Sequence, residues 1–176
     1  MKRLLLLRHA KSARPAGVAD HERPLARRGI EDARQMGAYL KRETLFPDLV
    51  LVSTSVRTRQ TWDLVAPALG EVASVRFERA IYDADSPPGL EALVRQAPEA
   101  ANALLMIGHN PGFEDFAQWL IGHGDRYALA RMREKFPTCA LAVLDVQSQD
   151  WAAFKKGAAR LDRFVTPKSL SNRDNG

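Results

Sequence analysis

Leu4-Leu5-Leu6-Leu7-Arg8-His9 is an apolar run that ends in two polar residues. A second such run covers residues 103–107 and is followed by Gly108 and His109. A continuous apolar run closed by polar, Gly or Pro residues predicts a strand buried on both faces of a parallel sheet. In such sheets, functional groups gather at the carboxyl ends of the strands. The sequence therefore predicts that Arg8, His9 and His109 lie close together.

The rest of the chain alternates between strand-like and helix-like apolar spacing. The predicted strands are 4–7, 49–52, 75–77, 103–107 and 140–144, with shorter ones at 151–154 and 161–165; the predicted helices are 26–42, 55–69, 86–94 and 111–120. This alternation predicts a single α/β domain over residues 1–176, a three-layer α/β/α sandwich with a mostly parallel central sheet. The polar residues 169–176 predict a disordered tail.

Composition indicates a soluble globular protein. The 176 residues are 45% hydrophobic and 27% charged, which is ordinary for such domains. Met1-Lys2-Arg3 and the four leucines mimic a secretory signal, but Arg8, His9 and Lys11 interrupt the apolar stretch at once. No segment approaches the roughly 20 apolar residues of a membrane span. We therefore expect a cytoplasmic location and no membrane contact.

Cysteine, histidine and charge restrict the possible ligands. Cys139 is the only cysteine, and it and the four histidines lack the close spacing of metal ligands. We expect no metal and no cofactor. The net charge of +5 fits either an anionic partner or a merely basic surface. Because Lys and Arg are spread along the chain without a nucleic-acid-binding motif, the second interpretation is favoured and nucleic acid is not expected as a partner.

A third strand end adds an anion-binding helix start. The segment from Ser53 to Thr61 follows the second predicted strand, and Arg57 falls in the first turn of the next helix. Free N–H groups and the helix dipole favour an anion there, and a guanidinium adds planar donors that suit phosphate oxygens. Neutral imidazole is nucleophilic near pH 7, so His9 could attack a phosphoryl group held by these neighbours.

These residues resemble the histidine phosphatase superfamily, and in particular its compact SixA-type phosphohistidine phosphatases. The matching segments are Arg8-His9-Ala10, Ser53-x-x-x-Arg57-x-x-Gln60-Thr61, Gly108-His109-Asn110-Pro111, Asp20-His21-Glu22-Arg23-Pro24-Leu25 with Gly29, and Phe164-Val165-Thr166-Pro167-Lys168. The resemblance implies that His9 is the nucleophile that becomes phosphorylated. It also implies that Arg8, Arg57 and His109 are catalytic residues that bind the phosphoryl oxygens.

The chain departs from larger family members in two ways. It has no room for their inserted cap segments, and it has no obvious Glu where the mutases keep their general acid. Asp83 is the nearest candidate acid, although it could equally be an ordinary turn residue. A weak or missing acid suits P–N cleavage better than ester cleavage, because a departing imidazole has a reference pKa of about 6.5 and an alkoxide needs a proton far more.

Other polar residues near these motifs are expected to be structural. Arg59 lies two positions from Arg57 on the predicted helix and should point to the surface. Arg23 could neighbour the pocket or pair with Asp20, and pairing is favoured. His21 and His123 are expected to be loop residues rather than ligands.

The sequence thus favours a metal-independent phosphatase that uses a phosphohistidine intermediate on His9. Its expected partner is a protein carrying phosphohistidine. Two alternatives remain open: a phosphomonoesterase acting on a small phosphorylated substrate, which would need a working acid, and a non-catalytic module that binds phosphorylated proteins. An intact His9 argues against the second alternative, because another donor would serve a mere binder as well.

Overall fold

The computed structural model describes residues 1–84 and 86–172. Short 3₁₀ turns lie at Asp20–Glu22 and Trp151–Ala153. The elements, in chain order, are β1 (Lys2–Arg8), α1 (Arg27–Arg42), β2 (Leu49–Ser53), α2 (Val56–Leu69), β3 (Ser74–Glu78), α3 (Arg79–Asp83), α4 (Pro87–Arg95), β4 (Ala103–Gly108), α5 (Gly112–Leu120), β5 (Ile121–Gly124), α6 (Arg126–Glu134), β6 (Leu141–Val146), β7 (Ala159–Val165) and α7 (Pro167–Ser171).

The strands of the described residues form one sheet in the order β3-β2-β4-β1-β6-β7-β5. Strands β3, β2, β4 and β1 are parallel neighbours, and β5 is parallel to β7. Strand β6 runs antiparallel to both β1 and β7. The predicted mostly parallel sheet is therefore confirmed. Because β2, β4 and β1 lie side by side, their carboxyl ends meet at one edge of the sheet.

Helices cover both faces of the sheet. Along β1, Leu4 and Leu6 pack into one core with α4, α5 and α6, whereas Leu5 and Leu7 pack into the other with α1, α2 and α7. Each of the four leucines is at most 1% exposed. A run of consecutive leucines can be a strand here because apolar side chains are buried on both faces. This arrangement confirms the predicted three-layer sandwich.

Two local predictions need correction, and the sequence analysis also missed some short elements. Residues 151–154 are not a strand: Trp151–Ala153 form a 3₁₀ turn, and the buried indole of Trp151 donates to the carbonyl oxygen of Ala101 at 3.1 Å. Strand β5 was not predicted. The supposed tail contains part of α7, where Leu170 is 2% exposed and packs under the sheet. The rest of that predicted tail, residues 173–176, lies outside the described residues.

Candidate active site

Arg8 and His9 lie where β1 ends. The His9 side chain is nearly buried, with 6% of the residue exposed, and its Nδ1 lies 2.8 Å from the carbonyl oxygen of Ala10. A carbonyl oxygen can only accept a hydrogen bond, so Nδ1 carries the ring proton and donates it. The neutral ring then keeps a lone pair on Nε2, which has no hydrogen-bond partner among the described residues. His9 is thus held in the tautomer that a nucleophile needs.

The loop that follows His9 is fixed by neighbouring helices. The amide of Ala10 donates to Thr61 Oγ1 at 3.0 Å, and the amide of Leu25 donates to Gln60 Oε1 at 2.8 Å. A side chain at Gly29 could not be accommodated, because its Cβ would lie 2.1 Å from the carbonyl oxygen of Lys11. These motif residues therefore hold the loop in place.

Arg57 lies in the first turn of α2, two positions after the N-cap residue Ser55, and is only 5% exposed. Its NH1 donates to the carbonyl oxygen of Asp20 at 2.6 Å, and its NH2 donates to Asp20 Oδ2 at 3.1 Å. The same NH2 lies 3.3 Å from His109 Nδ1. These contacts fix the orientation of the guanidinium plane. Bidentate recognition of an oxyanion requires a plane held in this way.

His109 follows β4 and faces His9, with the two ring centroids 5.3 Å apart. Its Nε2 lies 2.7 Å from Ser53 Oγ at the end of β2. Because the Arg57 guanidinium can only donate, Nδ1 of His109 accepts and Nε2 donates to Ser53. His109 is therefore neutral, and its ring is held by side chains from two neighbouring strand ends.

Arg8, at the end of β1, completes the group. Its NH1 donates to the carbonyl oxygen of Phe136 at 2.9 Å, which leaves other guanidinium donors for a ligand. Together with His9, Arg57 and His109 it lines a cavity of about 310 Å³. The structure thus brings together all four residues that the strand-end pattern predicted to be close. The cavity wall also includes Lys11, Arg14 and Arg23, so it is strongly cationic.

Burial controls the charge of both histidines. Removal from water, aided by the nearby His109, Arg57 and Arg8 and opposed by the hydrogen bond to Ala10, lowers the pKa of His9 to about 3. Burial likewise lowers the pKa of His109 to about 3, with Arg57 contributing in the same direction and Asp20 opposing it. Both rings are therefore neutral at pH 7.

These shifts predict a pH-dependent stability. An unfolded histidine has a pKa of 6.5, whereas His9 in the folded protein has a pKa of about 3. At any pH between these two pKa values, the unfolded chain therefore binds more protons than the folded chain. Stability should be full above pH 6.5 and fall as the pH drops through that window. Between pH 7 and pH 5 we expect His9 alone to cost about 2 kcal/mol of unfolding free energy.

Urea unfolding of the wild type and of His9→Ala at both pH values tests this. The variant should lose less stability than the wild type on acidification, since it lacks the histidine that resists protonation. His123→Ala, which removes an exposed histidine of β5, should keep the wild-type pH dependence. Equal losses in the wild type and His9→Ala would contradict a neutral buried His9.

The acidic residue of the site is Asp20, not Asp83. Asp83 was the candidate acid, but its side chain is 57% exposed, pairs with Arg79 on α3 at 3.1 Å and does not line the cavity. Asp20 lines the cavity and receives hydrogen bonds from Arg57 and from the Tyr82 hydroxyl, the latter at 2.8 Å. Sequence reasoning considered Asp20 only as a partner of Arg23. Its place in the Asp20–Leu25 motif was the available signal.

The remaining predicted residues are placed as follows. Arg59 is exposed, as expected, and its guanidinium lies 4.9 Å from the centre of the Phe77 ring. Arg23 pairs with Asp20 at 3.0 Å, as favoured, and also lines the cavity. His21 lies in the 3₁₀ turn next to the cavity and contacts Glu22 and Thr54.

Neither a metal-binding cluster nor a membrane-spanning helix is present in residues 1–84 and 86–172. No three His, Cys, Asp or Glu side chains come together as a metal-binding group there. No helix in this part of the chain is long and apolar enough to cross a membrane.

Comparison with known proteins agrees with this geometry. Residues 4–86 match the histidine phosphatase superfamily (branch 1). An uncharacterized protein of Mycobacterium tuberculosis is 38% identical, over 92% of this chain and 100% of its own length. A proposed phosphohistidine phosphatase SixA from Agrobacterium tumefaciens is 30% identical in sequence to this chain. Its crystal structure has a TM-score of 0.77 to this structure, over 94% of this chain and 98% of that one.

A similar likeness is found for the SixA protein of Nakamurella multipartitia. That structure is 29% identical, with a TM-score of 0.78 over 94% of this chain and 96% of that one. The likeness therefore extends well beyond the residues 4–86 that match the family. This chain belongs to the histidine phosphatase superfamily, in its compact SixA-type branch.

Proposed function

We propose that this protein is a metal-independent phosphatase that removes phosphate from phosphohistidine in a partner protein. The observation that carries the proposal is the hydrogen bond from His9 Nδ1 to the Ala10 carbonyl at 2.8 Å. It leaves the Nε2 lone pair of a neutral ring at a cavity that Arg8, Arg57 and His109 also line. A pocket that only bound phosphate would gain nothing from this tautomer.

The chemistry proceeds in two steps. His9 Nε2 attacks phosphorus, the bond to the substrate nitrogen breaks, and that nitrogen keeps the electron pair. Water then attacks the phosphorylated His9 and releases inorganic phosphate. The guanidinium groups stabilise charge on the equatorial oxygens in both steps, and such preorganised donors are among the largest contributions to catalysis.

The surroundings of the cavity support a protein substrate. Residues 14–20, which follow the first part of the loop after His9, are exposed. The cationic side chains of Lys11 and Arg14 are also exposed at the mouth, where they would attract a negatively charged phosphorylated segment.

The decisive experiment is a turnover assay in EDTA with three substrates at equal concentration: a histidine-phosphorylated protein, 4-nitrophenyl phosphate and glycerol phosphate. We expect the first to be hydrolysed fastest, measured as kcat/KM, and glycerol phosphate slowest, because Asp20, the carboxylate in the cavity wall, has a pKa lowered to about 2 and cannot protonate an alkoxide at neutral pH. If glycerol phosphate were hydrolysed fastest, the phosphomonoesterase alternative would be favoured. Binding of the phosphorylated protein without turnover would favour the non-catalytic module. A strict requirement for a metal ion would refute the mechanism.

A further inference from the structure

Asp20 is a carboxylate placed at a phosphate-binding cavity, which needs an explanation because like charges repel. Its side chain is 56% exposed and lines the same cavity as His9 and His109. The Arg57 guanidinium is shared between Asp20 Oδ2 and His109 Nδ1, at 3.1 and 3.3 Å. A single nitrogen atom, NH2 of Arg57, therefore connects the Asp20 carboxylate to His109, the second histidine of the site.

Asp20 cannot serve as a stored proton donor. Burial alone would raise the pKa of Asp20, but the Tyr82 hydroxyl and the Arg57 charge outweigh this and lower it to about 2. The carboxylate is ionised at neutral pH, and it can only accept hydrogen bonds.

Asp20 retains room to accept one more hydrogen bond. Oδ2 accepts from Tyr82 and Arg57, whereas Oδ1 accepts from Arg23 Nε at 3.0 Å. An ionised carboxylate has about four acceptor positions, so about one is left. Since more than half of the side chain is exposed, that position is open to a ligand.

The difference in exposure between His9 and Asp20 favours a position of Asp20 on the leaving-group side. His9 is 6% exposed at the floor, whereas Asp20 is at the exposed mouth. In a phosphoryl transfer the attacking and leaving atoms are roughly in line. Attack by a buried His9 therefore drives the leaving group outward, toward Asp20 and toward the Tyr82 ring, which lies 5.5 Å from the ring of His109.

We propose that Asp20 is a specificity-determining residue that accepts a hydrogen bond from the protonated distal nitrogen of the phosphohistidine ring. This rests on the proposed function above. The new bond forms between His9 Nε2 and phosphorus, and the P–N bond of the substrate breaks with its electron pair on the ring nitrogen. Because the distal nitrogen already carries a proton, the ring leaves as neutral imidazole. Asp20 favours that protonated form, whereas an ester offers no such group and meets only the repulsion of the carboxylate.

The test compares Asp20→Asn with the wild type on a histidine-phosphorylated protein and on 4-nitrophenyl phosphate, whose leaving group needs no proton. Asparagine keeps an acceptor oxygen for Tyr82 but has no charge. We expect kcat/KM for phosphohistidine to fall by about 10- to 100-fold, as for loss of one charge-assisted hydrogen bond. Hydrolysis of 4-nitrophenyl phosphate should stay constant or rise. The matched control is Asp83→Asn, which removes an exposed carboxylate outside the cavity and should leave both rates unchanged.

The ratio of the two rates separates the possible roles. If both substrates lose activity equally in Asp20→Asn, the residue only positions Arg57, and the proposal is wrong. If both gain equally, Asp20 is only an electrostatic barrier, and the proposal is wrong as well. Failure of the wild type to hydrolyse phosphohistidine would instead refute the proposed function. Tyr82→Phe, which removes one hydrogen bond to Asp20 and retains the ring, should shift the ratio in the same direction by a smaller factor.

Discussion

Replacing His9 with alanine should abolish turnover, with a loss of at least roughly 10⁴-fold, because the variant has no nucleophile in the cavity. In the wild type, substrate labelled in its phosphate should leave label on His9 after rapid quenching, and this label should be labile to acid and stable to base. The variant should carry no label. Both proteins should have the same circular dichroism spectrum at pH 7.

His123→Ala is the matched control, because it removes a histidine that lies on the exposed strand β5 and not in the cavity. It should keep full activity and full labelling. Two results would contradict the assignment of the nucleophile: label that maps to His109 or to a serine, or a His9→Ala enzyme that still forms an acid-labile phosphoenzyme.

A strand of the sheet was predictable where its own residues form a continuous apolar run. Leu4 to Leu7 are buried on both faces, and a run of that length needs no partner to be recognised. Strand β5 has no such pattern, because two of its four residues are glycines. It exists because β7 approaches closely: a Cβ at Gly124 would lie 2.8 Å from the carbonyl oxygen of Leu161 in β7. That approach depends on residues far along the chain.

The error at residues 151–154 has a different cause. An apolar aromatic segment resembles a short strand, and only its packing decides the outcome. Trp151 is 1% exposed, and its N–H donates to the carbonyl oxygen of Ala101. Asp150 did offer a local signal, since its side chain caps the turn by accepting from the amide of Ala152 at 2.8 Å.

The residues of the site likewise fall into two groups: those that the sequence predicted and those that it did not. Arg8, His9 and His109 follow strands, and Arg57 opens a helix, so their convergence follows from the topology of a parallel sheet. Asp20 precedes α1, and its position depends on hydrogen bonds from the distant residues Arg57 and Tyr82, which no local pattern encodes. Asp83 is close to Tyr82 in sequence but lies in the last turn of α3, where it pairs with Arg79 rather than entering the cavity.

Arg57→Lys should lower kcat/KM by roughly 10²-fold, similar to removal of other preorganised groups that stabilise charge in a transition state. Arg57 donates to Asp20 through two different nitrogens and is 5% exposed. Lysine keeps the charge but has one nitrogen, so it cannot hold Asp20 and two phosphoryl oxygens in one plane.

Arg59→Lys is the control for Arg57→Lys, because the same change is made two positions along the same helix at an exposed side chain. It should leave kcat/KM unchanged, and thermal unfolding should show both variants folded at the assay temperature. Hydrolysis of 4-nitrophenyl phosphate should also fall in Arg57→Lys, because its phosphoryl group needs the same donors as that of phosphohistidine. In this respect it should differ from Asp20→Asn, which acts on the leaving group. A fully active Arg57→Lys enzyme would show that charge alone at this position is sufficient and that the planar arrangement of donors has no part in catalysis.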